Sequence, residues 1–228
     1  MQYQQTLRVL VGPTLVEYIV PQVLLVEKSD FFRAACSKGW KEAEERLVRL
    51  PEMNPTVFDD YLHWLYRGRT TVREREGVSD RDFAILMWTC LVDLWIAADQ
   101  LGDTGLRNAA IDSMRAVKRE LRLSPGYEEV NKIWTRTAPA STVRRLLMDY
   151  FITLVKKEFV SDRWEHLEDE FLKESLQQTL EIARAAIENK EQDVVSPRGR
   201  PACYYHEHAE GGPVCAFLSK QQRSLEML

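Results

Sequence analysis

Cysteine is scarce in this chain. There are four in 228 residues, Cys36, Cys90, Cys203 and Cys215, too few and too spread for a secreted disulfide scaffold, so the fold must rest on an apolar core. Positive charge is not in excess either. A net charge of −4 lacks the basic footprint of a nucleic-acid binder. The opening residues, Met1-Gln2-Tyr3-Gln4-Gln5, have neither the basic nor the apolar region of a secretory signal, and an intracellular protein, cytoplasmic or nuclear, is expected. The most apolar stretch, Phe83 to Ala98, is shorter than the roughly 20 residues that cross a bilayer and contains Asp93. It predicts a helix buried in a globular domain and no membrane association. Gly-rich phosphate loops, a Gly-x-Ser-x-Gly elbow and kinase signatures are missing, so no enzyme is expected. His63 lies among aromatics at helical spacing, and the paired carboxylates Asp59-Asp60 and Glu128-Glu129 read as solvated helix faces rather than as acid–base machinery.

What is present is a hydrophobic fraction of 45%, enough for a packed core, arranged in short alternating segments. Leu7 to Val11 and Leu15 to Val20 are rich in β-branched residues and flank Gly12-Pro13, which predicts a hairpin. Ser29 is placed to cap a helix carrying Phe31, Phe32, Ala35 and Cys36 on one side. Leu47, Val48 and Leu50 predict a third strand. Asn54-Pro55 then supplies a cap followed by proline at the first helical position, where its missing N–H costs nothing. Phe58, Tyr61, Leu62 and Leu65 recur at helical spacing up to Gly68. After a charged loop, helices are expected from Asp82 to about Leu101 and on to about Leu121. Phe31, Phe58 and Leu94 are the expected core markers of this region, and Cys36 and Cys90 read as small buried hydrophobes.

Ser124-Pro125-Gly126 breaks the chain. Beyond it Tyr127, Val130 and Ile133 mark a short helix. Ser141 precedes another, with Val143, Leu146, Leu147, Tyr150 and Leu154 as its buried stripe. Val160 to Asn189 reads as a long charged helix with two separate apolar faces. Trp164, Leu167 and Phe171 share one, and Leu172, Leu176, Leu180, Ala183 and Ile187 share the other. Either the helix breaks or it meets two surfaces. From Val194 onward Gly, Pro and Ser predict a mostly irregular tail.

The order strand, short helix, Phe-Phe helix, strand and proline-started helix between Val20 and Tyr66 resembles a BTB/POZ domain, in particular the divergent type common in filamentous fungi. The later stretch Leu94-Trp95-Ile96-Ala97-Ala98-Asp99-Gln100-Leu101-Gly102, followed by Leu106-Arg107-Asn108, is similar to the paired helices late in such domains. The resemblance covers about Leu7 to Leu121. It implies an α+β fold, a small sheet covered by helices, and a role in docking other proteins. It also implies a scaffold partner, since Trp40-Lys41-Glu42 matches the hydrophobic-x-Glu motif of cullin-binding members, with Trp40 and Glu42 as partner-binding residues. Two departures speak against a corepressor groove: Val20-Pro21-Gln22 stands where many members carry Val-His-Lys, and Thr6-Leu7-Arg8 has no aspartate at the first strand. The N-terminal extension of strongly swapped dimers is not matched, so a homodimer is a weaker expectation than a protein partner.

The tail holds one further constellation. Cys203-Tyr204-Tyr205-His206-Glu207-His208 is followed by Cys215. Two thiols and two imidazoles are the ligand set of a closed structural zinc site. In an extended segment His206 and His208 point to the same side. Against this, one residue between the histidines is not finger spacing; the simpler alternative is a flexible tail with scattered polar residues, and a third is a tail anchored on the helical region by Tyr204 and Tyr205. The organisation expected is therefore a BTB/POZ-like domain over 1–122, an all-helical extension over 123–190 and an irregular tail over 191–228 with a metal-binding segment at Cys203, His206, His208 and Cys215. The function expected is a protein–protein interaction adaptor, a substrate receptor on a cullin-type ubiquitin ligase. A self-associating scaffold or regulatory protein, or a zinc-dependent sensor, are the alternatives.

Overall fold

A computed structural model describes residues 5–37, 45–70, 77–154, 164–188, 200 and 202–208, and the chain is α+β, a small three-stranded sheet with helices followed by a helical extension. Strands β1 (Thr6–Val11) and β2 (Val16–Pro21) form an antiparallel hairpin, with Leu7 opposite Val20 and Val9 opposite Tyr18. Strand β3 (Leu47–Leu50) joins β1 in parallel, giving the order β2-β1-β3. Alternation decides which face is covered. Leu7, Val9, Val11, Val20 and Val48 are buried, while Arg8, Ile19 and Arg49 point to solvent and Arg8 pairs with Glu17.

Helices α1 (Gln22–Lys28) and α2 (Asp30–Ala35) follow the hairpin, and α3 (Pro55–Arg67) follows β3. The side chain of Asn54 accepts from the Thr56 N–H, and Gly68 closes α3 in the left-handed conformation at φ 68°. Helix α4 (Asp80–Leu101) and helix α5 (Thr104–Leu121) make the pair expected late in the domain. Helix α4 has 22 residues and is apolar enough to pass a length test for a membrane span, but 61% of its most apolar window is buried inside the molecule, as in a core helix. The extension comprises α6 (Tyr127–Arg136), α7 (Thr142–Leu154) and α8 (Asp169–Ile187), with 3-10 turns at Trp164–His166 and Ala202–Tyr205.

The chain forms two compact units. One holds 1–73 and 93–110; the other holds 74–92 and 111–228. The partition falls inside α4 and α5. In the first unit, Phe58 and Leu94 are buried as expected. Phe31 is not. It is 37% exposed, while its neighbour Phe32 is fully buried. Adjacent helical residues point about 100° apart, so a six-residue helix cannot turn both rings inward, and Phe31 lies edge-on to Phe32 instead. Cys36 and Cys90 are thiols of intermediate burial.

The turn between α4 and α5 ties the first unit together. Gly102 has φ 65°, and a Cβ there would lie 3.0 Å from that of Asp30, so the position demands glycine for both conformation and space. Ser29 donates to the carbonyl of Leu101 at 2.5 Å and accepts from the Phe32 N–H at 3.1 Å. One residue past the turn, Asp103 is almost wholly buried. Its carboxylate accepts from the Trp64 indole at 3.0 Å and from the Leu106 N–H at 2.8 Å. Burial pushes the Asp103 carboxyl above its ordinary range, and these two hydrogen bonds oppose the shift.

In the second unit, of the two outcomes left open for Val160 to Asn189, the described residues show the break. Trp164 sits in a 3-10 turn and is exposed, and α8 begins only at Asp169. Leu167 and Phe171 are buried, with Phe171 edge-on to Trp134 and Phe151 at 4.7 Å each. The second apolar face of α8 is open: Leu176, Leu180 and Ile187 are exposed at 62%, 49% and 81%. At the junction of α6, α7 and α8 lies Arg144, which is buried. It donates to the carbonyls of Trp134 and Thr137 at 2.6 Å each and to the Thr137 hydroxyl at 3.2 Å, and it pairs with Glu170 at 2.9 Å and Glu174 at 3.3 Å.

Candidate functional site

Of the residues singled out as sites, Trp40, Glu42 and Cys215 lie outside the described residues. Cys203, His206 and His208 lie within them, on a segment laid across the second unit. The receiving surface is set by helical spacing. On α7, Thr142, Arg145 and Asp149 fall at i, i+3 and i+7, the polar side of a helix whose Val143, Leu146, Leu147 and Tyr150 are buried as expected. On α5, Asp112 and Arg115 stand at i and i+3. These side chains take the segment one residue at a time.

Tyr205 is fully buried and donates to Asp149 Oδ2 at 2.7 Å, under the Arg115 guanidinium at 5.5 Å from its ring centre. Arg115 also donates to the carbonyl of Arg200 at 2.9 Å. Two guanidiniums lie over the Tyr204 ring, Arg200 at 4.4 Å and Arg145 at 5.6 Å from its centre, and Arg145 donates to the Tyr204 carbonyl. Burial raises the Asp149 carboxyl above its ordinary range, with the Tyr205 hydrogen bond and the charges of Arg200 and Arg145 opposing. The Tyr205 phenol is raised as well, first by burial and then by its bond to Asp149. The anchoring by two tyrosines, the third reading that the sequence offers for the tail, is thus present.

The metal-type side chains sit beside this anchor. Tail residues 202–205 form a 3-10 turn, and the His206 N–H donates to the Cys203 carbonyl at 3.1 Å. Side chains three apart eclipse in that geometry, which brings Cys203 and His206 to one edge. His206 and His208 have ring centres 6.0 Å apart. The ligand atoms of Cys203, His206 and His208 all lie within 4.8 Å of one another. His206 is buried, and its Nε2 lies 2.9 Å from Asp112 Oδ1. Cys203 is disulfide-bonded, so in this state its sulfur is no thiolate ligand. Asp112, Arg115, Asp149 and Arg145 could not be picked from the sequence, since each reads there as one more charge on a solvated helix face.

Residues 9–84 match the family model of the BTB/POZ domain, a protein-interaction domain family. The match covers the sheet from the middle of β1 onward, α1 to α3 and the start of α4; the resemblance of the α4–α5 pair lies beyond it. No curated protein matches the chain.

Proposed function

We propose that this chain, with a BTB/POZ domain in its first half, is a protein-interaction adaptor acting in the cytoplasm or nucleus and belonging to the divergent group common in filamentous fungi. Its domain docks on the N-terminal region of a cullin-type ubiquitin-ligase scaffold, and its extension holds the protein to be modified. The family match is the observation that carries this reading. The open face of α8 supports the second half of it: Leu176, Leu180, Ala183 and Ile187 follow a 4-3-4 spacing, the seam that an amphipathic helix of a partner reads. The seam is only about 16 Å long by helical rise, a length suited to an anchor within a larger contact rather than to a self-sufficient dimer.

In the adaptor reading, Trp40 fills a pocket on the scaffold and Glu42 orients the contact. Binding of the full chain to a cullin N-terminal region, followed by calorimetry, tests it. Trp40→Ala is expected to weaken binding by about 2 kcal/mol or more, roughly 30-fold, with an unchanged melting temperature. Undiminished binding by the variant removes Trp40 from the surface. Self-association with no cullin binding replaces the ligase reading by a scaffold.

A further inference from the structure

The Cys203–His208 segment carries chemistry that a docking role does not use. One sulfur and two imidazoles converge within 4.8 Å. That set is soft to borderline, right for zinc and wrong for the hard cations that take oxygen ligands. Ligands on a tetrahedral zinc, at about 2.3 Å for sulfur and 2.0–2.1 Å for nitrogen, sit about 3.3–3.6 Å apart. The cluster needs to contract by about an ångström, within the reach of side-chain rotation. Asp112 meets the Nε2 edge of the buried His206 ring at 2.9 Å, the arrangement by which a carboxylate fixes the tautomer and direction of an imidazole that binds metal through its opposite nitrogen. The backbone is fixed too, since Tyr205, between the first two ligands, is locked to Asp149.

The disulfide at Cys203 adds a condition. A sulfur bonded to sulfur has no thiolate to give, and the thiolate is the metal-binding form. We propose that Cys203, His206 and His208 form a redox-gated zinc site, shut while Cys203 is in its disulfide and opened by reduction, with Asp112 as the positioning residue for His206. The step balances simply. A dithiol reductant passes two electrons and two protons to the S–S bond, becomes a disulfide itself and leaves two thiols. Zinc then displaces the Cys203 thiol proton as the Zn–S bond forms. In a reducing compartment the thiol form prevails, so the ion would be lost and Cys203 re-oxidised under oxidative stress. This site is independent of cullin docking.

The competing account is that His206 and Asp112 form a buried pair that only helps Tyr205 to hold the tail. Zinc titration of the full chain against a chromophoric chelator separates the two, with the chain either oxidised or reduced by a dithiol that is then removed. One equivalent of zinc is expected in the reduced chain, bound at least about tenfold more weakly by the oxidised chain. Cys203→Ser and His208→Ala, the latter at an exposed ring, are each expected to cost about tenfold or more, and Asp112→Asn about 10–100-fold. Cobalt added to the reduced chain should give a thiolate charge-transfer band that Cys203→Ser lacks. Equal zinc affinity in both redox states, no binding in either, or a Cys203→Ser variant that keeps affinity and cobalt band overturns the proposal.

Discussion

Asp103 in the first compact unit and Arg144 in the second are both charged side chains buried among helices, and the two are accommodated by different means. Asp103 accepts from two N–H groups, one of indole and one of backbone, and its carboxyl moves toward the neutral form as burial outweighs them. Arg144 carries five N–H donors and no acceptor. Its guanidinium spends its donors on two carbonyls, a hydroxyl and two glutamates. Asp103 is held by two donors and the nearby charges of Lys28 and Arg107, whereas Arg144 is surrounded by acceptors that form a fixed clamp.

Arg144→Ala is the strongest way to break that comparison. It strands the carbonyls of Trp134 and Thr137 and opens a void beside Trp134, whose ring lies 5.2 Å from the guanidinium. A loss of about 3–5 kcal/mol in denaturant unfolding is expected, the range for removing one member of a buried charged network. A loss under about 1 kcal/mol would mean that the clamp is ornamental.

Asp103→Asn sharpens the contrast with a smaller effect, about 1 kcal/mol or less at neutral pH, because the amide oxygen still accepts from Trp64 or Leu106. The sign of the pH effect follows from the raised carboxyl. Between the unfolded-state value of about 3.9 and the higher folded-state value, the native chain binds more protons, so Asp103 makes stability fall as pH rises through that window. Asp149 is raised as well and acts in the same sense. The difference between wild type and Asp103→Asn, measured from about pH 4 to pH 7, isolates Asp103. It should grow in favour of the variant as pH rises and then level off; a flat difference would show that Asp103 titrates normally.

The smallest effect belongs to the open face of α8. Leu180→Gln should change stability by less than about 0.5 kcal/mol, as at other surface positions. A loss of about 2 kcal/mol or more would show that the 176–187 seam is covered in the folded chain and is not a surface for a partner.

Where periodicity and caps were strong, the residues declared their own structure. Asn54-Pro55 started α3, Ser29 capped α2, Gly102 made the α4–α5 turn, and alternation in Leu7 to Val11 chose the inner face of the sheet. These features depend on neighbours within a few positions, and a sequence states them outright. Phe31 was misread for a related reason, and the pattern around Trp164 left a break and a second surface equally open. Apolar character says that a side chain gains from burial, but not that room exists on that side of a short helix, nor which of two ways a split pattern resolves.

The candidate metal site divides in the same way. The ligand types at Cys203, His206 and His208 were legible because chemistry resides in the residue itself. Their convergence beside Asp112, the lock of Tyr205 on Asp149 and the disulfide state of Cys203 were not. Residue pairs 94 and 56 positions apart meet there, and a charge on a helix face looks the same in sequence whether water or a tail lies over it. The sequence by itself determined the short-range turns, the caps, the two apolar faces of α8 and the resemblance to a docking domain. Tertiary structure alone decided which of those faces is shut and which charges are buried, because burial is a property of what arrives from elsewhere in the chain.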